Sequence, residues 1–490
     1  MPRPNIVYIL CDDLGFGDVQ CLNPRRGKIA TPHIDRLASQ GMTFTDAHSG
    51  SAVCTPTRYG ILTGRYSWRT RLQSGVLLGG DAPLIAPGRL TVPALLKHHG
   101  YTTAAMGKWH LGMDIPMLPQ TVQKTDQKTS PQWNFDFRGR IRQGPTAIGF
   151  DYYYGIAASL DMPPYVYIEN DRFTAVPTVE KKWIRQGPAA ADFEAVDVVP
   201  NLTRKAIQYI ERQAADAKSD KPFFMYLALT SPHTPIVPTD RWKGKSGLGD
   251  YGDFVMETDD AVGQVLKVLD GAGLSDNTLV IFTSDNGCSP EAGVEELEAR
   301  GHFPSASLRG YKADIWDGGH RIPFIARWPG RVTAGSKSAQ TICLTDLLAT
   351  CADMADTRLP DSAGEDSVSL LPALLGKDQK PLREAIVHHS INGKFAIRQG
   401  RWKLELCPGS GGWAKPGDPE AAKQGLPEIQ LYDMSGDLAE TKNVQLGRPD
   451  VVWRLTRLLE KYITDGRSTP GMIQKNDAAI DIWKKIKAGN

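Results

Sequence analysis

Three short stretches of this chain hold residue types suited to chemistry rather than to filling a core. The first is Cys11-Asp12-Asp13, at the end of the apolar run that starts at Ile6. The second is Ser284-Asp285-Asn286-Gly287, directly after the run Leu279–Thr283. Both put oxygen-bearing side chains where a strand gives way to a loop, the end at which ligands bind in open α/β sheets. Either pair alone reads as a helix cap or a turn. Together, Asp12, Asp13, Asp285 and Asn286 form an oxygen donor set for a hard cation such as Ca²⁺ or Mg²⁺. The third stretch is Ser51-Ala-Val-Cys54-Thr-Pro-Thr-Arg58, followed by Tyr59-Gly-Ile-Leu-Thr-Gly-Arg65. A cysteine at a loop-to-helix transition beside an arginine has the setting of an activated thiolate. The plainer reading is a small buried residue.

The elements needed to position these groups are legible as pattern. Asn5–Cys11, Thr102–Met106, Pro222–Leu229 and Leu279–Thr283 are short apolar or β-branched runs and read as strands. Between them lie helical stretches at Val92–His99, Leu202–Ala217 and Met256–Leu269, and Thr31-Pro32 is a helix-opening pair, hydroxyl cap then proline. This β/α alternation predicts an α/β fold, a large mostly parallel sheet sandwiched by helices. After about residue 375 the texture changes. Ala385–His389, Phe395–Ile397, Trp402–Leu406 and Gln430–Tyr432 are short strand candidates between Gly and Pro loops, with a late helix at Asp450–Tyr462. We therefore expect a catalytic α/β domain over 1–375 and a smaller α+β subdomain with an antiparallel sheet over 376–490. The polar, aperiodic stretch Met117–Gln143 is expected to be a long surface loop.

Whole-chain properties narrow the classes. The chain has 490 residues and a formal charge of +2, which suggests neither a nucleic-acid nor a membrane surface. No apolar run approaches the roughly 20 residues needed to span a bilayer. Its seven cysteines are scattered and none forms a CxxC pair, so zinc ribbons and redox couples are not indicated. The segment Ile6–Cys11 is too short and badly flanked for a signal peptide. The expectation is a cytoplasmic protein, or a periplasmic or secreted one whose export signal was removed.

Cys54-x-Pro56-x-Arg58 followed by Leu62-Thr-Gly-Arg65 resembles the signature of the type I sulfatases of the alkaline phosphatase superfamily. Further blocks resemble the same family. They are Asn5–Asp18, Gly107-Lys-Trp-His-Leu-Gly112, Ser231-Pro-His-Thr-Pro235, Ser284–Gly287, Leu308–Lys312, Trp316–Pro323 and Arg327–Gly330. The resemblance implies that a maturation enzyme oxidises Cys54 to formylglycine, whose hydrated aldehyde is the nucleophile. It also implies Asp12, Asp13, Asp285 and Asn286 as calcium ligands, and Arg58 as support for the aldehyde hydrate. Lys108, His110, His233 and Lys312 would surround the sulfate and move protons, His233 as acid for the leaving alcohol and His110 as base for sulfate release. Ser159 falls where the family can place a sulfate-contacting residue. His302 and His320 flank the Lys312 block and are candidates for lining the substrate pocket.

The expected activity is hydrolysis of a sulfate ester, on a carbohydrate in preference to a simple aryl sulfate. The expected partners are a sulfated small molecule or glycan and the formylglycine-generating enzyme. Two alternatives stand beside it: a phosphoester or phosphonate monoester hydrolase of the same superfamily, and a sulfated-glycan binding protein that never converts Cys54. Ligands for only one metal favour sulfate over phosphate. Trp133, Trp183, Trp242 and Trp413 lie in or near irregular stretches and are candidates for stacking on sugar rings.

Overall fold

A computed structural model describes residues 3–119, 133–378 and 380–484; of the stretch Met117–Gln143, residues 120–132 lie outside the described residues. The main sheet has ten strands. In chain order they are β1 (Asn5–Asp12), β2 (Met42–Phe44), β3 (Thr102–Lys108), β4 (Tyr152–Ile156), β5 (Ile168–Glu169), β6 (Arg172–Phe173), β7 (Phe223–Pro232), β8 (Thr278–Ser284), β9 (Phe324–Arg327) and β10 (Ser336–Ser338). Their spatial order is β10-β2-β9-β8-β1-β7-β3-β4-β5-β6. The run β8-β1-β7-β3-β4 is parallel and has antiparallel pairs on both sides, with the edge strand β10 parallel to β2. The expected mostly parallel sheet is present.

β1 is the central strand and every residue of it is buried, which is why it reads as an unbroken apolar run rather than an alternating one. Its two faces still feed separate cores, because successive side chains point to opposite sides. Ile6, Tyr8 and Leu10 pack in a core shared with α2 (Cys54–Thr63) and α3 (Val92–His98). Val7, Ile9 and Cys11 pack in a second core with α1 (Pro32–Gln40), α4 (Val198–Lys218) and α5 (Asp250–Gly271). A one-residue slip in register would exchange these two sets. No helix among the described residues is long and apolar enough to cross a membrane.

The opening of α1 differs in detail from expectation. The Thr31 hydroxyl does not cap it but accepts from the Gln20 amide at 2.9 Å and donates to Asp35. The free amides of His33 and Ile34 instead donate to Asp259, on α5. Burial pushes the Asp259 carboxyl up to about 7. Since this lies above its unfolded value, Asp259 favours the fold most at low pH and progressively less as pH rises through about 7. Asp259→Asn keeps an acceptor for both amides. Its melting temperature, measured from pH 5 to 8, is expected to fall less with pH than that of the wild type; an unchanged slope refutes this.

The four late strands form a separate antiparallel sheet: β11 (Ile386–His389), β12 (Phe395–Gln399), β13 (Trp402–Glu405) and β14 (Gln430–Asp433). A final helix, α6 (Pro449–Thr464), lays Val451, Leu455, Leu459 and Tyr462 on this sheet, a single face by their spacing. The segment after α2 reaches into the same core through Tyr66 and Trp68, the latter edge-on to Phe395. Beside them Arg69 pairs with Asp366 at 2.7 Å, both fully buried.

Candidate active site

β1, β8 and β3 all end on the same side of the sheet, and register fixes what meets there. Cys11 pairs with Ser284, so Asp12-Asp13 and Asp285-Asn286 leave adjacent strands side by side. Asp13 has φ of 65°, and its amide donates to Asp285 at 3.2 Å. This left-handed residue turns the chain out of β1 and directs Asp13 back over the strand end. Left-handed φ is uncommon outside glycine and is tolerated best by Asp and Asn.

Cys54 is the first residue of α2, whose residues are all buried. Four residues on, one turn along, the Arg58 guanidinium donates to Asp285 from Nε at 3.0 Å and Nη2 at 2.7 Å, and to the Lys108 carbonyl at 3.1 Å. Lys108 ends β3 and its ammonium donates to both Asp12 oxygens at 2.7 and 2.9 Å. Lys312 donates to Asp13 Oδ2 at 2.7 Å. His233 Nε2 lies 3.6 Å from the same oxygen. The structure therefore brings together Asp12, Asp13, Cys54, Arg58, Lys108, His233, Asp285, Asn286 and Lys312.

The electrostatics are those of a site built for an ion. Burial opposes ionisation of Asp12, but Lys108, His233, Arg58 and Lys312 hold it below the ordinary carboxylate range. Asp285 is pushed up by burial and by the charge of Asp12. Neighbouring carboxylates out of water cannot all ionise cheaply without cations. One oxygen from each of Asp12 and Asp13 lies within 4.8 Å of a His233 nitrogen, and Asp12 and Asp285 cluster likewise with the Cys54 sulfur. The Asn286 amide donates to Asp13 and Gly287, leaving its buried Oδ1 without a protein partner. Three carboxylates and an unmatched amide oxygen are the donors that suit a divalent cation. The Cys54 thiol is not the activated thiolate its setting suggested, since burial raises its pKa against the pull of Lys108 and Lys312.

His110 is held by its backbone and by one ring nitrogen. It has φ of 58°, its amide donates to Ala157, and Nε2 donates to the Leu77 carbonyl at 2.6 Å. The buried Nδ1 is left with no partner. Burial, then Lys108 and Arg58, lower its pKa well below the usual histidine value, so the ring is neutral with a free lone pair on Nδ1. Ser159 lies beyond β4, two residues after the Ala157 carbonyl that binds His110, and its buried hydroxyl also lacks a partner.

Two expected pocket residues are not there. His302 is fully buried, with Nε2 2.8 Å from Asp18 and Nδ1 accepting from the Lys28 amide, so neither nitrogen can meet substrate. His320 is fully buried beneath the C-terminal sheet against His48 and His388. Both flank Lys312 in sequence, but the chain turns inward on either side of it. Sequence reasoning also missed Asp161, which contacts Arg185 and sits 4.0 Å from His233 Nδ1. Its only signal is a polar Ser-x-Asp run just past an apolar strand.

Of the four tryptophans, Trp183 packs on Tyr165 and Phe193. Trp413 is half exposed and lies 6.0 Å from the Lys312 ammonium. Its loop is pinned by Asp314, which accepts from the Trp413 and Ala414 amides at 2.8 and 2.9 Å. Trp133 lines a cavity of about 270 Å³ with Met162 and Arg185.

A family model described as Sulfatase matches residues 4–357, nearly three quarters of the chain. The chain belongs to the sulfatase family. An N-acetylgalactosamine-6-O-sulfatase of Bacteroides thetaiotaomicron is 35% identical to this sulfatase over 94% of its chain and 93% of the relative. Human arylsulfatase A is 31% identical over 98% and 92% of the two chains. A solved Bacteroides thetaiotaomicron 6S-sulfatase, described with the metabolism of multiple glycosaminoglycans, superposes with a TM-score of 0.80 at 34% identity, covering 94% and 99%. A phosphonate monoester hydrolase of Agrobacterium radiobacter, 18% identical with a TM-score of 0.58, shares the fold. This chain is thus a sulfuric ester hydrolase by family, with the alkaline phosphatase-like fold.

Proposed function

We propose that this sulfatase removes a sulfate ester from a carbohydrate, using formylglycine made from Cys54 and one Ca²⁺ held by Asp12, Asp13, Asp285 and Asn286. The observation that carries the reading is the convergence of four oxygen donors, three buried cationic side chains and Cys54 at the ends of β1, β3 and β8. When bound, the cation would orient the sulfate and favour ionisation of the nucleophile, which the hydrated aldehyde supplies.

The chain's own groups divide the remaining work. Lys108, Lys312 and Arg58 are fixed cations around the place where negative charge grows, a preorganised field that needs no rearrangement during reaction. His233 donates Nδ1–H to the Thr234 carbonyl at 2.6 Å, and its Nε2 faces the site. Carrying a second proton on Nε2, it delivers that proton to the leaving alcohol. His110 takes up a proton at Nδ1 as sulfate departs, its tautomer set by the Leu77 carbonyl. His233→Ala is expected to lower kcat about 10²–10⁴-fold on an unactivated sugar sulfate. The loss should be much smaller on an aryl sulfate with a good leaving group. Equal losses on both substrates would remove His233 from the acid role.

The preference for a carbohydrate rests on Trp413, an exposed ring beside Lys312 on a pinned loop, and on the similarity to an N-acetylgalactosamine-6-O-sulfatase and a 6S-sulfatase. Trp413→Ala is expected to raise KM for a sulfated sugar about 3–10-fold, the size of an aromatic contact of order 1 kcal/mol, with kcat little changed. An unchanged KM would mean that the ring does not meet the sugar. The test of the whole reading is release of free sulfate and free phosphate from sulfated sugars, aryl sulfates and matched phosphoesters. It compares protein co-expressed with a formylglycine-generating enzyme against protein with Cys54 unconverted. Sulfate release by the converted form alone is the expected result. Phosphate release outpacing sulfate would favour the phosphoesterase reading, and sugar binding without turnover by converted protein would favour a binding protein.

A further inference from the structure

Between the main sheet and the C-terminal sheet lies a second cluster of metal-ligating side chains that the mechanism does not use. His48, His320 and His388 are all fully buried, and one ring nitrogen from each lies within 4.8 Å of the others. The His48 and His320 Nδ1 atoms are 3.1 Å apart, and the His320 and His388 rings stack at 3.8 Å.

The outer partners decide where the ring protons are. His48 Nε2 is 3.0 Å from Asp46 Oδ1, a carboxylate oxygen that only accepts, so it donates there; the Arg398 Nη1, farther off at 3.4 Å, donates to the same carboxylate at 2.8 Å. His320 Nε2 is 3.0 Å from the Ile315 carbonyl, which accepts only a proton. The neighbouring Lys403 ammonium has its own acceptors in Asp317 at 2.9 Å, Glu440 at 2.6 Å and the same Ile315 carbonyl at 3.0 Å. His388 Nδ1 donates to the Ser49 carbonyl at 3.0 Å, and its Nε2 is buried without any partner. A neutral imidazole has one N–H, and each ring has spent it outward. Burial lowers the pKa of all three, in keeping with neutral rings. The two Nδ1 atoms then face each other with lone pairs and no proton between them, next to a third lone pair on His388. Such an arrangement is repulsive unless a metal cation or a shared proton comes between His48 and His320, and the near-parallel His320 and His388 rings, 12° apart, must tilt for one metal ion to meet both lone pairs.

We propose that His48 Nδ1, His320 Nδ1 and His388 Nε2 bind a late first-row divalent transition metal, with zinc as the probe. Histidine metal ligands characteristically donate their second ring nitrogen to a carboxylate or backbone carbonyl, and here Asp46, Ile315 and Ser49 fill those positions. Three imidazoles suit zinc, copper or nickel, whereas the all-oxygen active-site set suits calcium or magnesium. Around the rings, Asp46, Asp317, Glu405 and Glu440 face Arg321, Arg398 and Lys403, so the surroundings do not exclude a cation. The rings come from a strand preceding Cys54, from the turn after Lys312 and from β11, so the ion would tie the C-terminal sheet to the catalytic one.

The test is expression of the full chain with zinc supplied throughout, followed by metal analysis and zinc-edge anomalous diffraction in calcium-containing buffer. The expected result is about one zinc per chain and an anomalous peak between the three rings. His388→Gln should lose that zinc and melt several degrees below the zinc-loaded wild type while retaining sulfate release. If the variant fails to fold, the wild-type anomalous map decides alone. A map with no peak between the rings, or zinc only at the active site or surface, overturns the proposal. So does a strongly deshielded proton shared by His48 and His320 in the zinc-supplied protein.

Discussion

Cys54→Ala is expected to take sulfate release to the assay background while leaving the protein folded. An enzyme of this kind supplies a rate enhancement of at least about 10⁶, and no other nucleophile stands among the clustered residues. Lys108, Lys312 and Arg58 are engaged with Asp12, Asp13 and Asp285, and the role proposed for His110 is proton transfer. The substitution removes one buried sulfur at the first position of α2, a small truncation that should cost about 1–2 kcal/mol or less. Unconverted wild-type protein should be equally silent, because its thiol is held protonated by burial. Turnover by Cys54→Ala within 100-fold of the converted wild type would sink the assignment. So would loss of activity that tracks a collapse in melting temperature.

The second large effect is on stability. Lys403→Met is expected to destabilise the fold by about 3–5 kcal/mol, the usual result of leaving buried charges unpaired. At roughly 2–4 °C per kcal/mol for chains of more than 150 residues, the melting temperature should drop by order 10 °C. Lys403 is fully buried on β13 and binds Asp317, Glu440 and the Ile315 carbonyl, with Glu405 at 3.1 Å. Burial works against its charge, but Asp317, Glu440 and Glu405 hold its pKa above the ordinary lysine range. Stability from such a raised pKa is fully present below the unfolded lysine value and fades only above it. The deficit should therefore be constant from pH 6 to 9. A drop under 2 °C, or one confined to alkaline pH, would show that the acids are neutralised by another route.

Much of the fold and the reaction centre is local enough to read from the chain. The strand and helix positions follow from runs and periods, because a fully buried parallel strand such as β1 is apolar between its polar ends, Asn5 and Asp12. The proposed cation donors are legible because the geometry of a strand end needs only a few adjacent residues, Asp12-Asp13 and Asp285-Asn286. Cys54 and Arg58 are one helical turn apart, so their shared direction is also written locally. What the tertiary structure decided is everything that depends on which way a loop turns. His302 and His320 look equivalent to Lys312 in sequence, yet one is consumed by Asp18 and Lys28 and the other by the histidine cluster. Asp259 replaces Thr31 as the cap of α1 because the Thr31 hydroxyl is already bound to the Gln20 amide. His48, His320 and His388 are brought together across more than 300 residues, and no spacing rule could have joined them. Short-range pattern specifies elements and strand-end donors, since those depend on neighbours along the chain. Pairings between distant buried polar groups are chosen only when packing removes water and each donor must find an acceptor in the interior.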